Sequence, residues 1–201
     1  MKTLLQINAS IQNGNGQSSR LADQFVSAFR TRHPEASIVV RDVAAAESVP
    51  HLDSERFGAF ITAPENRTAA QQAVVAYSDA LIHEIKQADV IVLGLPMYNF
   101  GVPSQLKAYF DHVARAGVTF AYTEKGPVGK LTGKKVYVFA ARGGLYAGTP
   151  MDTQTGYVRD FLGFLGLTDV QFVYAEGLAV SPQSKEAGLA RAAAEIARIA
   201  A

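Results

Sequence analysis

Residues 90–95, Val-Ile-Val-Leu-Gly-Leu, carry no polar side chain, and Pro96 closes the run. A strand with one face in water alternates apolar and polar residues. A run without alternation belongs to a strand buried on both faces, and so to a sheet with helices on either side. The rest of the chain supplies them. Short strand-like runs at residues 3–8, 38–41, 135–141 and 170–176 alternate with helical patterns at 18–32, 69–88, 103–114 and 157–165, and after Ser181-Pro182. This is the order of βαβ units around a parallel sheet. Leu21, Phe25, Val26 and Phe29 recur on one face of the first helix, which Ser18 or Ser19 can cap; Val74, Leu81, Ile82 and Ile85 do the same in the second. Five strands and five helices make one doubly wound α/β domain over residues 1–201. Residues 44–66, interrupted by Pro50 and Pro64, form a long excursion to which the pattern assigns no element.

Composition removes several classes of function. The 201 residues include no cysteine, which excludes disulfides, thiolate catalysis and Cys-ligated metals and suits the cytoplasm. Nineteen Lys and Arg against 18 Asp and Glu give a net charge of +1. No clustered basic face is evident, so no nucleic-acid partner is expected. Gln6 and Asn8 interrupt the N-terminal apolar stretch, which therefore reads as a strand and not as a signal peptide. The run at 90–95 is too short to span a bilayer, and no membrane partner is expected.

Ligands in an open α/β sheet bind beyond the carboxyl ends of the strands, where strand order reverses. The loops after strands one, three and four of this chain are the places to look. After the first strand comes Ser10-Ile11-Gln12-Asn13-Gly14-Asn15-Gly16-Gln17-Ser18-Ser19, which runs directly into a helix N-terminus. Free N–H groups, the helix dipole and serine hydroxyls can hold a terminal monophosphate there; taken alone, the loop reads more readily as a solvated turn with a Ser cap. The P-loop pattern is absent. Gly14-x-Gly16-x-x-Ser19 lacks the third glycine of a dinucleotide fingerprint, and Asp42 reads as turn chemistry at a strand end. After strand three comes Pro96-Met97-Tyr98-Asn99-Phe100-Gly101. Three large flat or polarizable side chains around one amide, in a loop that should be exposed, suit an aromatic ligand with a polar edge. After strand four comes Ala141-Arg142-Gly143-Gly144, whose paired glycines let backbone N–H groups approach a planar ligand.

With these loops in place the chain resembles the FMN-dependent NADH:azoreductases, relatives of the flavodoxin-like NAD(P)H:quinone oxidoreductases. The likeness runs through Pro96-Met97-Tyr98-Asn99-Phe100, Gln105-Leu106-Lys107 and Tyr109-Phe110-Asp111. It continues through Ala114-Arg115-Ala116-Gly117-Val118-Thr119-Phe120, Tyr122-Thr123-Glu124, Gly133-Lys134-Lys135, Phe161-Leu162-Gly163-Phe164 and Ala175-Glu176-Gly177. The resemblance implies a flavodoxin-like fold and a homodimer. It implies that Ser10, Gln17 and Ser18, with Gly16 in the same loop, hold the FMN phosphate. Pro96, Met97, Tyr98, Asn99 and Phe100 would cradle the isoalloxazine, and Ala141, Arg142, Gly143 and Gly144 would border its pyrimidine end. Tyr122 and Phe164 would line the substrate pocket. Gly16 and Ala141 stand where the family often has serine, which predicts somewhat weaker FMN binding.

The implied reaction is a ping-pong two-electron transfer. NADH or NADPH reduces the flavin at N5 and leaves oxidised, and a quinone or azo compound then takes its place and is reduced, two such turns cleaving an azo bond to amines. The cofactor carries this chemistry, so no side chain is a catalytic nucleophile. No Gly-x-Ser-x-Gly elbow is present, and His83-Glu84 lacks the second histidine of a zinc helix. The competing readings are a flavodoxin-like electron carrier, disfavoured by the near-neutral charge and the apolar stretch at 109–122; a flavin-binding regulatory module; and a general flavin or quinone reductase.

Overall fold

The computed structural model describes residues 2–45 and 49–200. Five parallel strands form the main sheet: β1 (Thr3–Asn8), β2 (Ser37–Asp42), β3 (Val90–Pro96), β6 (Lys135–Ala141) and β7 (Asp169–Ala175), in the order β2-β1-β3-β6-β7. Order therefore reverses between β1 and β3, which places the loops after these strands side by side. β3 is buried at every position. Its Ile91, Leu93 and Leu95 pack with Leu106, Phe110 and Leu162 on one face, and Val92 packs with Leu21, Phe25 and Ile196 on the other. The missing alternation at 90–95 is the direct record of this two-sided burial.

Helices α1 (Gln17–Arg32) and α6 (Pro182–Ile199) cover the second face; α3 (Ala69–Gln87), α4 (Ser104–Val113) and α5 (Thr153–Phe164) cover the first. The cap of α6 is the expected one, the Ser181 hydroxyl accepting from the Ser184 N–H at 3.1 Å with Pro182 opening the helix. The cap of α1 is not. Gly16 occupies the cap position, and Ser18 and Ser19 lie inside the first turn, fully buried, their hydroxyls without a hydrogen-bond partner among the described residues.

Two further departures concern local structure that strand and helix patterning misses. The excursion at 44–66 contains helix α2 (Ser54–Ile61), capped by the Asp53 carboxylate, which accepts from the Arg56 N–H at 2.8 Å. Only eight residues long, it carries too few turns for a clear helical period. Arg67 Nε donates to the carbonyls of Ala59 at 3.2 Å and Thr62 at 3.0 Å, which closes the end of α2, and His112 Nε2 donates to the Pro50 carbonyl at 2.9 Å, which ties residue 50 to α4. A hairpin of β4 (Phe120–Thr123) and β5 (Gly126–Gly129) forms a separate two-stranded sheet. It docks where Gly129 meets the end of α5. A Cβ at 129 would lie 2.0 Å from the Gly166 nitrogen, so only glycine permits that approach. No helix among the described residues is long and apolar enough to cross a membrane.

Candidate functional site

The loops after β1, β3 and β6 meet at the carboxyl edge of the sheet, and two aromatic residues join them. The Tyr98 hydroxyl lies 3.2 Å from Ser10 Oγ and accepts from the Ile11 N–H at 3.2 Å, tying the β3 loop to the β1 loop. The Phe100 ring meets Tyr146 edge-on at 5.5 Å between centroids, tying it to the β6 loop. The β3 loop itself is a tight turn. Tyr98 and Gly101 exchange backbone hydrogen bonds of 3.2 and 3.0 Å, and Asn99 and Phe100 between them adopt φ of 50° and 64°. Asparagine tolerates that left-handed conformation; a bulky phenylalanine there is strained, a condition that surrounding contacts must enforce. The first turn of α5 enforces it. Thr153 donates to the Phe100 carbonyl, and Gln154 Nε2 donates to the carbonyls of Pro96 at 2.9 Å and Gly101 at 3.1 Å. Met97 and Tyr98 are half-buried, whereas Asn99 and Phe100 stand in solvent, Phe100 at 45% exposure.

The β1 loop carries unspent donors. Ser10 is buried, and its Oγ already receives the Gln12 N–H at 3.2 Å. Ser18 Oγ is buried in the first turn of α1 with no partner among the described residues, where the helix N–H groups and dipole favour an anion. Gln17 is half-buried beside it. Gly94 lets this helix end sit against β3, since a Cβ there would come 3.2 Å from the Ser18 carbonyl. Gly16 is also a packing requirement here: its Cβ would fall 2.1 Å from Ser10 Oγ and 2.5 Å from Ser10 Cβ, so a serine at 16 obliges the Ser10 backbone to shift.

In the β6 loop the carbonyls of Gly143 and Gly144 accept from Ala179 and Gly177 at 2.9 and 2.8 Å. Among the described residues neither glycine N–H has a hydrogen-bond partner, which leaves both free to meet a ligand edge. Ala141 ends β6 and accepts the Met97 N–H at 3.1 Å. The Arg142 side chain is turned inward, 1% exposed, toward Asp152 at 2.8 Å and Glu176 at 3.2 Å, and its backbone N–H and carbonyl are bonded to Ala175 and Leu178 at 2.9 and 3.2 Å. An unpaired buried serine at a helix N-terminus, a flat aromatic-and-amide turn and two free amides suit a phosphate-bearing planar cofactor such as FMN.

Tyr122 and Phe164 are brought together elsewhere. Both flank Phe120, with ring centroids 5.4 and 4.2 Å away. Tyr122 opens onto a groove of about 220 Å3 lined by Phe57, Phe60, Ile61, Ala114, Arg115, Ala116 and Phe120, none of which belongs to the three loops. Within one chain the expected substrate residues and the expected cofactor residues do not meet. Sequence reasoning missed Tyr146, Gln154 and Glu176. Gln154 is a polar residue buried in the first turn of α5, and sequence carries no signal for its target. Glu176 stood within the recognised Ala175-Glu176-Gly177 motif.

The remaining titratable residues do other work. Asp42 Oδ1 accepts from the Ala44 N–H at 2.9 Å, the turn role expected of it, and Asp111 pairs with Lys107 at 2.5 Å along α4. The described residues contain no group of three or more potential metal ligands.

Residues 1–200 match the family model described as flavodoxin-like fold. The chain is 61% identical over 178 residues to the FMN-dependent NADH:quinone oxidoreductase of Cellvibrio japonicus, covering 89% of each protein. It is 55% identical to that of Alcanivorax borkumensis over 96% of this chain and 97% of the relative. Among solved structures, an azoreductase from Bacillus anthracis superposes with a TM-score of 0.90 at 29% identity, over 100% of this chain and 99% of that one. An FMN-dependent NADH-azoreductase from the same species, solved with FMN, gives 0.87 at 27% identity over the full length of both. A match of this length and depth, over a crevice of this composition, makes the chain a member of the flavodoxin-like family of FMN-dependent NADH:quinone oxidoreductases and azoreductases.

Proposed function

We propose that this chain is an FMN-dependent NADH:quinone oxidoreductase that also reduces azo compounds to amines. The observation that carries the reading is the junction of three loops by Tyr98 and Phe100 around donors that have no partner of their own. Ser10, Gln17 and Ser18 hold the phosphate, assisted by the N-terminus of α1. Pro96, Met97, Tyr98 and Phe100 bound the ring, and the Asn99 amide meets its polar edge. The N–H groups of Gly143 and Gly144 favour negative charge at the pyrimidine end. When bound, FMN would supply the two-electron hydride chemistry, in a ping-pong order in which the oxidised nicotinamide, NAD+ or NADP+, leaves before the acceptor enters. The protein positions the reactants and keeps the slot flat, and no side chain serves as nucleophile.

A homodimer follows from the separation of the two halves of the site. Phe57, Ile61 and Tyr122 expose 53, 72 and 75% of their surface on one groove, and a second copy would cover them while carrying that groove to a flavin. Tyr122→Asp should then give a monomer in light scattering with impaired quinone reduction. A dimer with full activity would reject this assignment.

The main test is spectroscopic. FMN-loaded protein should bleach anaerobically on addition of NADH and recover on addition of a quinone. A bound flavin that neither NADH nor NADPH reduces would place the chain among electron carriers, and failure to bind FMN would remove the reading altogether.

A further inference from the structure

We infer that Arg142, with Glu176 and Asp152, is the positioning unit that holds two walls of the flavin crevice in register without touching the cofactor. The inference rests on the flavin reading above. It starts from the orientation of Arg142, a residue expected at the ligand edge whose guanidinium points into the protein and divides its donors between two arms.

Through Nη1 it meets Glu176 Oε1 at 3.2 Å. The same oxygen accepts the backbone N–H groups of Tyr146 and Ala147, each at 2.9 Å. Glu176 therefore fixes the backbone that carries the Tyr146 ring, and that ring lies over Gly144 and against Phe100. Gly144 has to be glycine for this, because a Cβ would stand 2.5 Å from the ring.

Through Nη2, Arg142 meets Asp152 Oδ1 at 2.8 Å and Thr155 Oγ1 at 3.0 Å. Asp152 caps α5, accepting from the Thr155 N–H at 3.0 Å. The next two residues, Thr153 and Gln154, clamp the turn at 96–101 in its strained conformation. The Tyr174 ring supports the guanidinium at 4.9 Å, and the Tyr174 hydroxyl lies 3.0 Å from Thr155 Oγ1. One planar group thus sets the β6 loop relative to the β3 loop. A lysine has a single nitrogen and cannot serve both arms.

Glu176→Ala and Glu176→Gln separate positioning from simple stability. The first removes the acceptor of the Tyr146 and Ala147 amides; the second keeps a carbonyl oxygen in its place and loses only the charge. Apo-protein of each is titrated with FMN by flavin fluorescence, and the visible circular dichroism of the bound flavin is recorded. Glu176→Ala should raise the FMN dissociation constant about tenfold, as expected for losing two amide tethers, and alter the dichroic band. Glu176→Gln should restore both to near the wild-type values. Arg142→Lys and Gln154→Leu, each cutting one arm, should behave like Glu176→Ala and carry the test if that variant fails to fold. Wild-type affinity and an unchanged dichroic band in the folded members of this set would overturn the inference while leaving the flavin reading intact. Failure of the wild-type protein to bind FMN would strike the flavin reading instead.

Discussion

Replacing Tyr98 with phenylalanine removes one oxygen atom and keeps the ring. That oxygen makes two contacts, to Ser10 Oγ and from the Ile11 N–H, both at 3.2 Å. A neutral hydrogen bond contributes about 0.5–1.5 kcal/mol net, and these two are long, with the Ile11 end open to water that can replace the lost partner. Their joint value is therefore about 1 kcal/mol, which corresponds to roughly a fivefold rise in dissociation constant. The loss should be selective, because the hydroxyl tethers the loop assigned to the phosphate while the ring remains to pack on the flavin. Titration of apo-protein with FMN and, separately, with riboflavin reads this directly. Tyr98→Phe should weaken FMN about fivefold and leave riboflavin unchanged. Equal weakening of both would mean that the hydroxyl acts at the ring. An unaltered FMN affinity would mean that the tether between the two loops contributes nothing to cofactor binding.

Other perturbations have equally definite outcomes. Asn99 sits at φ 50°, so Asn99→Ala adds left-handed strain of about 1–2 kcal/mol that Asn99→Gly avoids. Thermal denaturation should separate the two variants, whereas FMN titration should show both weakened through loss of the amide. Gly129→Ala drives a Cβ into the backbone of residues 165 and 166 and should cost about 1–3 kcal/mol, a fall in Tm of several degrees; an unchanged Tm would refute the docking described for the hairpin. Burial holds the His112 imidazole below its ordinary range, opposed by the bond to the Pro50 carbonyl, and its Nδ1 has no partner among the described residues. The unfolded chain then binds the proton first, so this contribution to stability is complete above about pH 6.5 and declines as the pH falls toward the lowered folded value. Urea midpoints between pH 7.5 and 5 should drop more steeply for the wild type than for His112→Phe; parallel curves would deny the effect.

How much of this was legible in the sequence depended on range. The strands of the main sheet and the helices on its faces announced themselves through periodicity, because burial on a sheet or helix face repeats over many residues. Asp42 and Ser181-Pro182 were readable because capping and turn chemistry act within a few positions. The excursion at 44–66 was not, since its order comes from remote anchors: the His112 ring on the Pro50 carbonyl, and Arg115 stacked over Phe60 at 4.9 Å. The composition of the loop at 96–100 pointed to a planar ligand, but the strain in its turn and the clamp from Gln154 depend on residues more than fifty positions apart. Arg142 was placed at the right loop, yet the side its guanidinium faces is decided by Asp152 and Glu176, and no local pattern encodes that choice.

The order of strands has a consequence for how the protein comes into being. β1 cannot complete its pairing until residues 90–94 arrive, and β3 in turn waits for β6. Loops closed over such distances cost entropy before any contact repays it, which makes a parallel sheet of this kind slow to assemble. Ser10, Tyr98, Tyr146 and Glu176 lie on segments spread through most of the chain, so a growing polypeptide offers flavin no complete seat until β7 has been synthesised. On the seating proposed above, FMN would bind the native fold in preference to the unfolded chain and stabilise it by about 2.7 kcal/mol at a hundred times the dissociation constant. The flavin supply of a cell would therefore raise the share of finished copies held in the native state.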